Sequence, residues 1–455
     1  MDELLFYNSV GDPSKKHSTS FGFLSSIHSS QHIGQYRQCY SNINGTTLTG
    51  IGGEHKVIVA CKGKALIHVY LHGKESPEQT IPLPEEVSCL EIFPHPNSER
   101  SWLLVAGAVS GRLYVWELDS GLLLAVKESH YQSVGVVKCS KGYIVSGGAD
   151  SRIVVWKVLD ILTDSHKPYV IFTDHTLPVT DITISSGLIN DIKLWSVSAD
   201  QTVRCYDLTS LALVTTFVAQ QPIHSIAADP AFRCLYIGLA NGMIRMVHLF
   251  QASPQTQIWE QVGGFGKIIT LKDDIDLRET FTNHQIGENP VTRIAVSFDG
   301  TQIVTGDSNG KVLVLDVATK QTVRTLKQLA GPVSTLKLFR MEANIVSNSA
   351  LKTAVRTIPV LKRNLVEDLD LQKHEVHRKF TDSENSRQLD LDNFLDTVKS
   401  EQKWFSNFTG VDSSVKQNKE NLGSELAELR ESYASMKSKY DALYDEHSKL
   451  LMNNK

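Results

Sequence analysis

The sequence predicts an all-β ring of seven blades, and three observations predict it: a recurring phrase, a regular spacing between its copies, and strands that are apolar on both faces. The phrase is a turn residue, then alternating apolar positions, then an aromatic or apolar anchor with an acidic or apolar close. It is clearest as Ser110-Gly-Arg-Leu-Tyr-Val-Trp116-Glu-Leu118 and Asp150-Ser-Arg-Ile-Val-Val-Trp156-Lys-Val158. It recurs at Asp200-Gln-Thr-Val-Arg-Cys-Tyr206-Asp-Leu208 and, more loosely, from Asn241-Gly242 to Leu249 and from Asn309-Gly310 to Val317. An earlier copy, Lys64-Ala-Leu-Ile-His-Val-Tyr70-Leu71, lacks the turn glycine. The anchors Tyr70, Trp116, Trp156, Tyr206, Val247 and Leu315 are 46, 40, 50, 41 and 68 residues apart. A period near 40 with a strand-turn-strand phrase inside it is the signature of WD40-type blades. The full expectation is a seven-bladed WD40 β-propeller over residues 1–358 with a C-terminal α-helical extension of coiled-coil heptads.

Each element has its own reason. Side chains alternate along a strand, so Leu113 and Val115 face one way and Tyr114 and Trp116 the other. A half-solvated sheet would make one set polar, whereas a blade sandwiched between neighbours buries both. The preceding strands are legible as Trp102-Leu-Leu-Val-Ala, Tyr143-Ile-Val-Ser, Leu194-Trp-Ser-Val-Ser, Cys234-Leu-Tyr-Ile-Gly and Gln302-Ile-Val-Thr-Gly, with turns such as Asp229-Pro230 and Asp299-Gly300 between elements. Six copies need a seventh to close. The ends supply it: Val333-Ser-Thr-Leu-Lys-Leu and Ala354-Val-Arg-Thr-Ile at one, Leu4-Leu-Phe-Tyr and Phe21-Gly-Phe-Leu at the other. Pairing N-terminal strands with the last blade removes the open edges that invite aggregation.

The 68-residue gap marks an insertion, about 250–289, expected between blades five and six as a long surface loop with acidic Asp273, Asp274 and Asp276. Inside it, Gly263-Gly-Phe-Gly-Lys267 invites a phosphate-loop reading, but Gln261 and Ile268 stand where that motif needs Gly and Ser or Thr. Residues 359–388 are charged and poor in aromatics, so they read as a linker on the surface or without a fold. Apolar content returns at helical spacing over 389–410, with Leu391, Phe394, Leu395 and Val398, then Trp404, Phe405 and Phe408. Over 420–452, Leu422, Leu426, Leu429, Tyr433, Met436, Tyr440, Leu443, His447 and Leu450 step by four and three without a break, the heptad repeat.

Bulk properties narrow the function. A net charge of -4 argues against bulk electrostatic binding to nucleic acid. No apolar run approaches the roughly 20 residues that span a bilayer, and Met1-Asp-Glu-Leu-Leu-Phe is acidic where a secretory signal is basic. Six scattered cysteines without a Cys-x-x-Cys suit buried thiols in a reducing compartment. No catalytic, cofactor or metal motif is legible, and no His/Cys/Asp cluster has metal-ligand spacing. His130, Ser146, Asp150 and Trp156 occupy the spacing of the WD-repeat hydrogen-bond tetrad, in which the four satisfy one another inside the blade. His175, Ser196 and Asp200 repeat it with Tyr206 in place of Trp, which predicts an incomplete network. A hydrolase triad is the competing reading, but there is no nucleophile elbow and each blade carries its own copy.

The tail residues Phe394, Leu395, Trp404, Phe405, Leu422, Leu426, Leu429, Tyr433, Met436, Tyr440, Leu443 and Leu450 are the candidate partner-binding set. A helix with an apolar stripe and no core of its own is marginal in water unless packed. Docking on the propeller and pairing with another chain both meet that need. Tyr433, Tyr440 and His447 fit a regular two-stranded homodimer poorly, and only Glu425 with Arg430 would attract across a parallel one.

Specific phrases go beyond the repeat. Leu83-Pro-Glu-Glu-Val-Ser-Cys-Leu-Glu91, Ser110 through Leu124, His130-Tyr-Gln-Ser133, Asp174-His-Thr-Leu-Pro-Val-Thr-Asp181, Thr202-Val-Arg-Cys-Tyr-Asp-Leu208 and Leu443-Tyr-Asp-Glu-His447 resemble the fungal Ipi-three family of pre-rRNA-processing proteins, whose animal counterpart is WD-repeat protein eighteen. The resemblance covers nearly the whole chain, most weakly at 250–289 and 360–388. It implies a nuclear, non-enzymatic scaffold subunit of the Rix complex, found in nucleoplasm and nucleolus and linked to chromatin and replication licensing. Implied partners are the other Rix subunits, the large-subunit preribosome and the AAA ATPase of the Rea/midasin type, with removal of internal transcribed spacer two as the step served. Self-association through the C-terminal helix stays open, as does direct RNA contact. The alternative class is a ubiquitin-ligase substrate adaptor or chromatin reader; an adaptor would carry a recruiting box ahead of the propeller, where strands begin instead.

Overall fold

Apolar residues on both faces of a strand must be covered on both faces, and the seven inner strands show how. They are Ser41–Thr49, Val87–Pro94, Val134–Ser140, Val179–Ile184, Ile223–Ala228, Val291–Val296 and Val333–Met341. Each packs beside the next, and the last packs beside the first. In the computed structural model they begin seven antiparallel blades around one axis. The described residues are 2–341, except 12–19, 30, 50–55, 72, 95–101, 141, 164–166, 186–190, 253–258, 272–279, 283 and 285–288, together with 358–365, 431–440, 442 and 443. The chain divides into two units, Met1–Val376 and His377–Lys455.

Blades one to six run inner to outer in chain order, and the six anchors all lie on third strands, such as Arg112–Glu117 and Ile153–Lys157. Leu113 and Val115 pack into blade three against Val137, Ile144 and Val154. Tyr114 and Trp116 pack the other way, against Ile58, Val69 and Ile81 of blade one. Seven such clusters, one per interface, make up the core. Burying a side chain of this size stabilises by roughly 1.5–3 kcal/mol, so the interfaces hold the ring.

Closure is as the termini predict. Asp2–Ser9 pairs antiparallel with Val333–Met341, placing Leu4 opposite Phe339 and Phe6 opposite Lys337. Phe21–Ser26 and His32–Arg37 then complete blade seven outward. Asn8 fastens this joint: its fully buried amide donates to Ser41 Oγ at 3.1 Å and Thr46 Oγ1 at 3.0 Å and accepts from Ser334 Oγ at 2.7 Å. The second C-terminal strand expected at 354–358 falls outside the described residues except for Ile358.

Two boundaries differ from the sequence reading. The insertion lies within blade five, not between blades five and six. Thr280–Phe281, which follows it, is that blade's outer strand, pairing with Ile244 and Arg245. The insertion is also not a plain loop: Phe250–Ala252 and Trp259–Gln261 form a hairpin, and Lys267–Thr270 adds in parallel to the edge of blade four. Gly263 and Gly264, at φ 106° and 145°, turn the chain onto that edge. A Cβ on Gly263 would collide with Thr215, whose hydroxyl accepts from Gly264 N at 3.2 Å. The glycine run is therefore a close backbone approach, not a phosphate loop.

Residues 359–365, expected to open the linker, are packed on the ring instead. Ile358 and Leu361 are buried against blades one and two, and Gln79 holds Ile358 by both main-chain groups. Lys362 is bound at both ends of its peptide, its N–H to Gly121 O at 2.8 Å and its carbonyl to the Trp116 indole N–H at 2.8 Å. Two apolar residues and main-chain bonds suffice for this strap, which composition alone conceals. In the second unit, residues 431–440 are helical, with Tyr433, Met436, Tyr440 and Leu443 exposed.

Candidate functional site

The polar residues singled out inside the blades come together as two buried sets. His130 Nδ1 lies 2.9 Å from Asp150 Oδ1, and its Nε2 lies 2.8 Å from Ser146 Oγ. His175 repeats this with Asp200 at 2.9 Å and Ser196 at 2.7 Å. Each aspartate also accepts from the backbone, Asp150 from Tyr131 N and Arg152 N, Asp200 from Thr176 N and Thr202 N. The set thus ties the chain entering a blade to the turn between its second and third strands.

Burial pushes the His130 pKa down, and the Asp150 carboxylate only partly restores it. The ring is then neutral, donating from Nδ1 to the carboxylate and accepting from the serine at Nε2. Burial raises the Asp200 pKa, but hydrogen bonds from His175 and Thr202 outweigh it and hold the carboxyl well below its usual range. Ser146 and Ser196 are fully buried. Their hydroxyls face the histidine with no room for a substrate, so the geometry satisfies polar groups rather than activating a nucleophile.

Trp156 departs from the expected tetrad. It pairs across the sheet with Ile144, while Ser146 pairs with Val154. From there the indole faces blade two and donates to Ser129 Oγ at 3.0 Å. Tyr206 likewise stands apart from the His175 set, its ring stacked on Phe172 at 4.2 Å.

A third set, missed in the sequence, sits in blade six: His284 Nε2 is 2.7 Å from Thr305 Oγ1, and Nδ1 is 3.3 Å from Asp307 Oδ2. Here the aspartate follows the hydroxyl residue by two positions instead of four. The signal was His284 ahead of Thr305-Gly306-Asp307, and the altered spacing hid it.

Among the described residues no three His, Cys, Asp or Glu side chains gather to hold a metal ion, and no helix is long and apolar enough to cross a membrane. All six cysteines are free. Burial pushes the Cys61 thiol to about 11 and that of Cys89 to about 12, which withholds the thiolate.

The inner wall, unremarked in the sequence, is charged. Glu91 of blade two meets Lys337 of blade seven at 3.0 Å and Lys138 of blade three at 3.7 Å. Arg293 of blade six donates to Asp181 of blade four at 2.7 Å. Burial pushes Glu91 up, but the two lysines outweigh it and hold the carboxyl below its usual range.

Of the partner-binding candidates, Tyr433, Met436, Tyr440 and Leu443 lie on described helix, each about two-thirds exposed. Phe394, Leu395, Trp404, Phe405, Leu422, Leu426, Leu429 and Leu450 lie outside the described residues. A second exposed apolar group was missed: Trp259, Phe265 and Ile268 on the blade-five insertion are each more than 70% exposed.

Comparison with known proteins places these features in context. The description WD domain, G-beta repeat matches residues 276–316, which hold the blade-six His set. The chain is 40% identical to pre-rRNA-processing protein IPI3 of Scheffersomyces stipitis, with 100% of both chains covered. It is 38% identical to the protein of that name in Candida albicans, over 99% of both chains. It is again 38% identical to that of Meyerozyma guilliermondii, over 98% of this chain and 100% of the relative.

Proposed function

The chain belongs to the family of pre-rRNA-processing proteins IPI3, and from that premise we propose that it is a non-catalytic scaffold subunit of a Rix-type complex. A role in pre-rRNA processing goes with the family. The finer reading is that it serves removal of internal transcribed spacer two and remodelling of the large-subunit preribosome in the nucleus, beside an AAA ATPase of the Rea/midasin type. A link to replication licensing is part of the same reading. The observation that carries it is likeness over the entire chain, ring and tail together. A protein whose use ended with the propeller would not be expected to match its relatives through the last residues.

The ring and the tail have different parts in this proposal. Fully buried hydroxyls leave the His sets to rigidify the blades, while Tyr433, Met436, Tyr440 and Leu443 present apolar surface to water. Such a stripe gains free energy only by covering itself. We assign the tail to joining another subunit.

Truncation after Val376, which keeps the strap on blades one and two, tests this. The shortened protein should melt as the full chain does yet recover fewer subunits in a pull-down, and Leu426→Asp with Leu429→Asp and Leu443→Asp should reproduce the loss. Full recovery of every partner by the truncated ring would move assembly to the ring's faces. Depletion of the full chain should lengthen the lifetime of precursors that still carry spacer two, and normal precursor levels would reject the processing step.

A further inference from the structure

We infer that the inner wall holds a small tetrahedral oxyanion, with inorganic phosphate as the ligand of matching size and charge. The cavity there has a volume of about 100 Å³. It is lined by Asn44 from blade one, Lys138 from blade three, Asp181 from blade four, Arg293 from blade six, and Thr335 and Lys337 from blade seven. Far-separated positions in the chain meet here only because the ring closes.

Three features point to an anion. The first is charge: Lys138, Arg293 and Lys337 are cations, and the two carboxylates that meet them, Glu91 and Asp181, leave one positive charge unbalanced. The second is orphaned donors. Arg293 spends Nη1 on Asp181, but its Nε–H has no partner, although the side chain is only 5% exposed. Asn44 Nδ2 and Thr335 Oγ1, lining the same cavity, are also without partners among the described residues. Buried polar groups are otherwise nearly always paired, and a charged one left unpaired is the costliest kind. A tetrahedral oxyanion, with several acceptor oxygens, answers all three donors at once.

The third feature is size. About 100 Å³ is far more than the roughly 10–15 Å³ one water occupies. It is well below the roughly 300 Å³ at which pockets for organic ligands begin. A small tetrahedral oxyanion fits that volume.

Asn44 offers a clean test. It lies at φ 62°, within a bulge between Ser41 and Thr46, and Asp tolerates that backbone region as Asn does. Asn44→Asp thus keeps shape and backbone while turning a donor into a negative charge. The experiment is titration of the full-length chain with inorganic phosphate at fixed ionic strength, followed by calorimetry and by the phosphorus resonance, with sulfate, acetate and chloride as parallel arms. One saturable phosphate site is expected, with sulfate competing and with acetate and chloride weaker by about tenfold or more. Asn44→Asp should weaken phosphate by at least about tenfold with an unchanged melting curve in phosphate-free buffer, and Thr335→Val should weaken it less. Arg293→Gln should abolish binding; because it strands Asp181 it also threatens the fold, so Asn44→Asp decides. Absence of saturable binding, equal affinity for chloride or acetate, or an unchanged affinity in Asn44→Asp would overturn the assignment.

Discussion

Replacing Asn8 by alanine should loosen the joint where the two ends of the ring meet. The side chain makes three bonds across that joint, to Ser41, Thr46 and Ser334, at 2.7–3.1 Å. Each such bond contributes about 1 kcal/mol net, so three give about 3 kcal/mol. Two further bonds survive the change, Ser41 with Ser334 and Thr46 with Ser41, both at 3.1 Å. These keep the hydroxyls partly satisfied, which places the expected loss at about 2–3 kcal/mol. Urea denaturation followed by tryptophan fluorescence reads it directly, as a lower midpoint at constant slope. A control lies on the surface of the same joint: Arg37 and Glu75 pair at 2.8 Å but are both more than half exposed. Glu75→Ala should cost under about 1 kcal/mol. A loss below about 0.5 kcal/mol for Asn8→Ala, or one no larger than for Glu75→Ala, would refute the claim that the buried amide fastens closure.

Other outcomes follow from single sites. Trp156→Ala empties a site only 2% exposed and strands Ser129, so it should destabilise by about 3–5 kcal/mol in the same assay; an unchanged midpoint would contradict its packing against blade two. Stability should fall on acidification below pH 6.5, the ordinary histidine value, because buried His130 resists the proton that the unfolded chain accepts. The slope approaches about 1.4 kcal/mol per pH unit for each such group. Asp200, held low in the fold, adds a second loss on descending through the carboxylate range; a flat profile from pH 7 to 5 would exclude the histidine loss, and no further fall below about pH 4 would exclude that of Asp200. Alkylation of the native protein at pH 8 should spare Cys61 and Cys89, whose thiols are pushed to about 11 and 12, and rapid labelling of either would show that burial does not suppress it.

Much of the ring could be read from the sequence because one physical cause wrote it twice. A strand covered on both sides must be apolar on both sides, so Leu113-Tyr114-Val115-Trp116 announces its two neighbours without further information. The closing strand is legible for the same reason, Leu4 through Tyr7 all being fully buried. What escaped reading depends on main-chain contacts or on distance along the chain. The strap at 358–365 buries only Ile358 and Leu361 and otherwise works through the main chain of Ile358 and Lys362, which no pattern in the strap's own side chains records. The strand at Lys267–Thr270 is an exposed edge addition and needs no alternation. The blade-six His set escaped because Asp307 replaces a turn aspartate two residues further on. The charges of the inner wall are single residues on strands more than forty positions apart, and only the closed ring shows that Glu91 meets both Lys138 and Lys337.

The central claim is that this chain acts by assembling a machine for pre-rRNA maturation. Affinity purification of the full-length tagged protein from its own cells, with mass spectrometry and sequencing of the bound RNA, tests it most directly. The account predicts a small stoichiometric set of partner subunits together with large-subunit precursors that retain spacer two, and loss of those partners when the tail beyond Val376 is removed. Recovery of ubiquitin-ligase subunits or histones without precursor rRNA would contradict it.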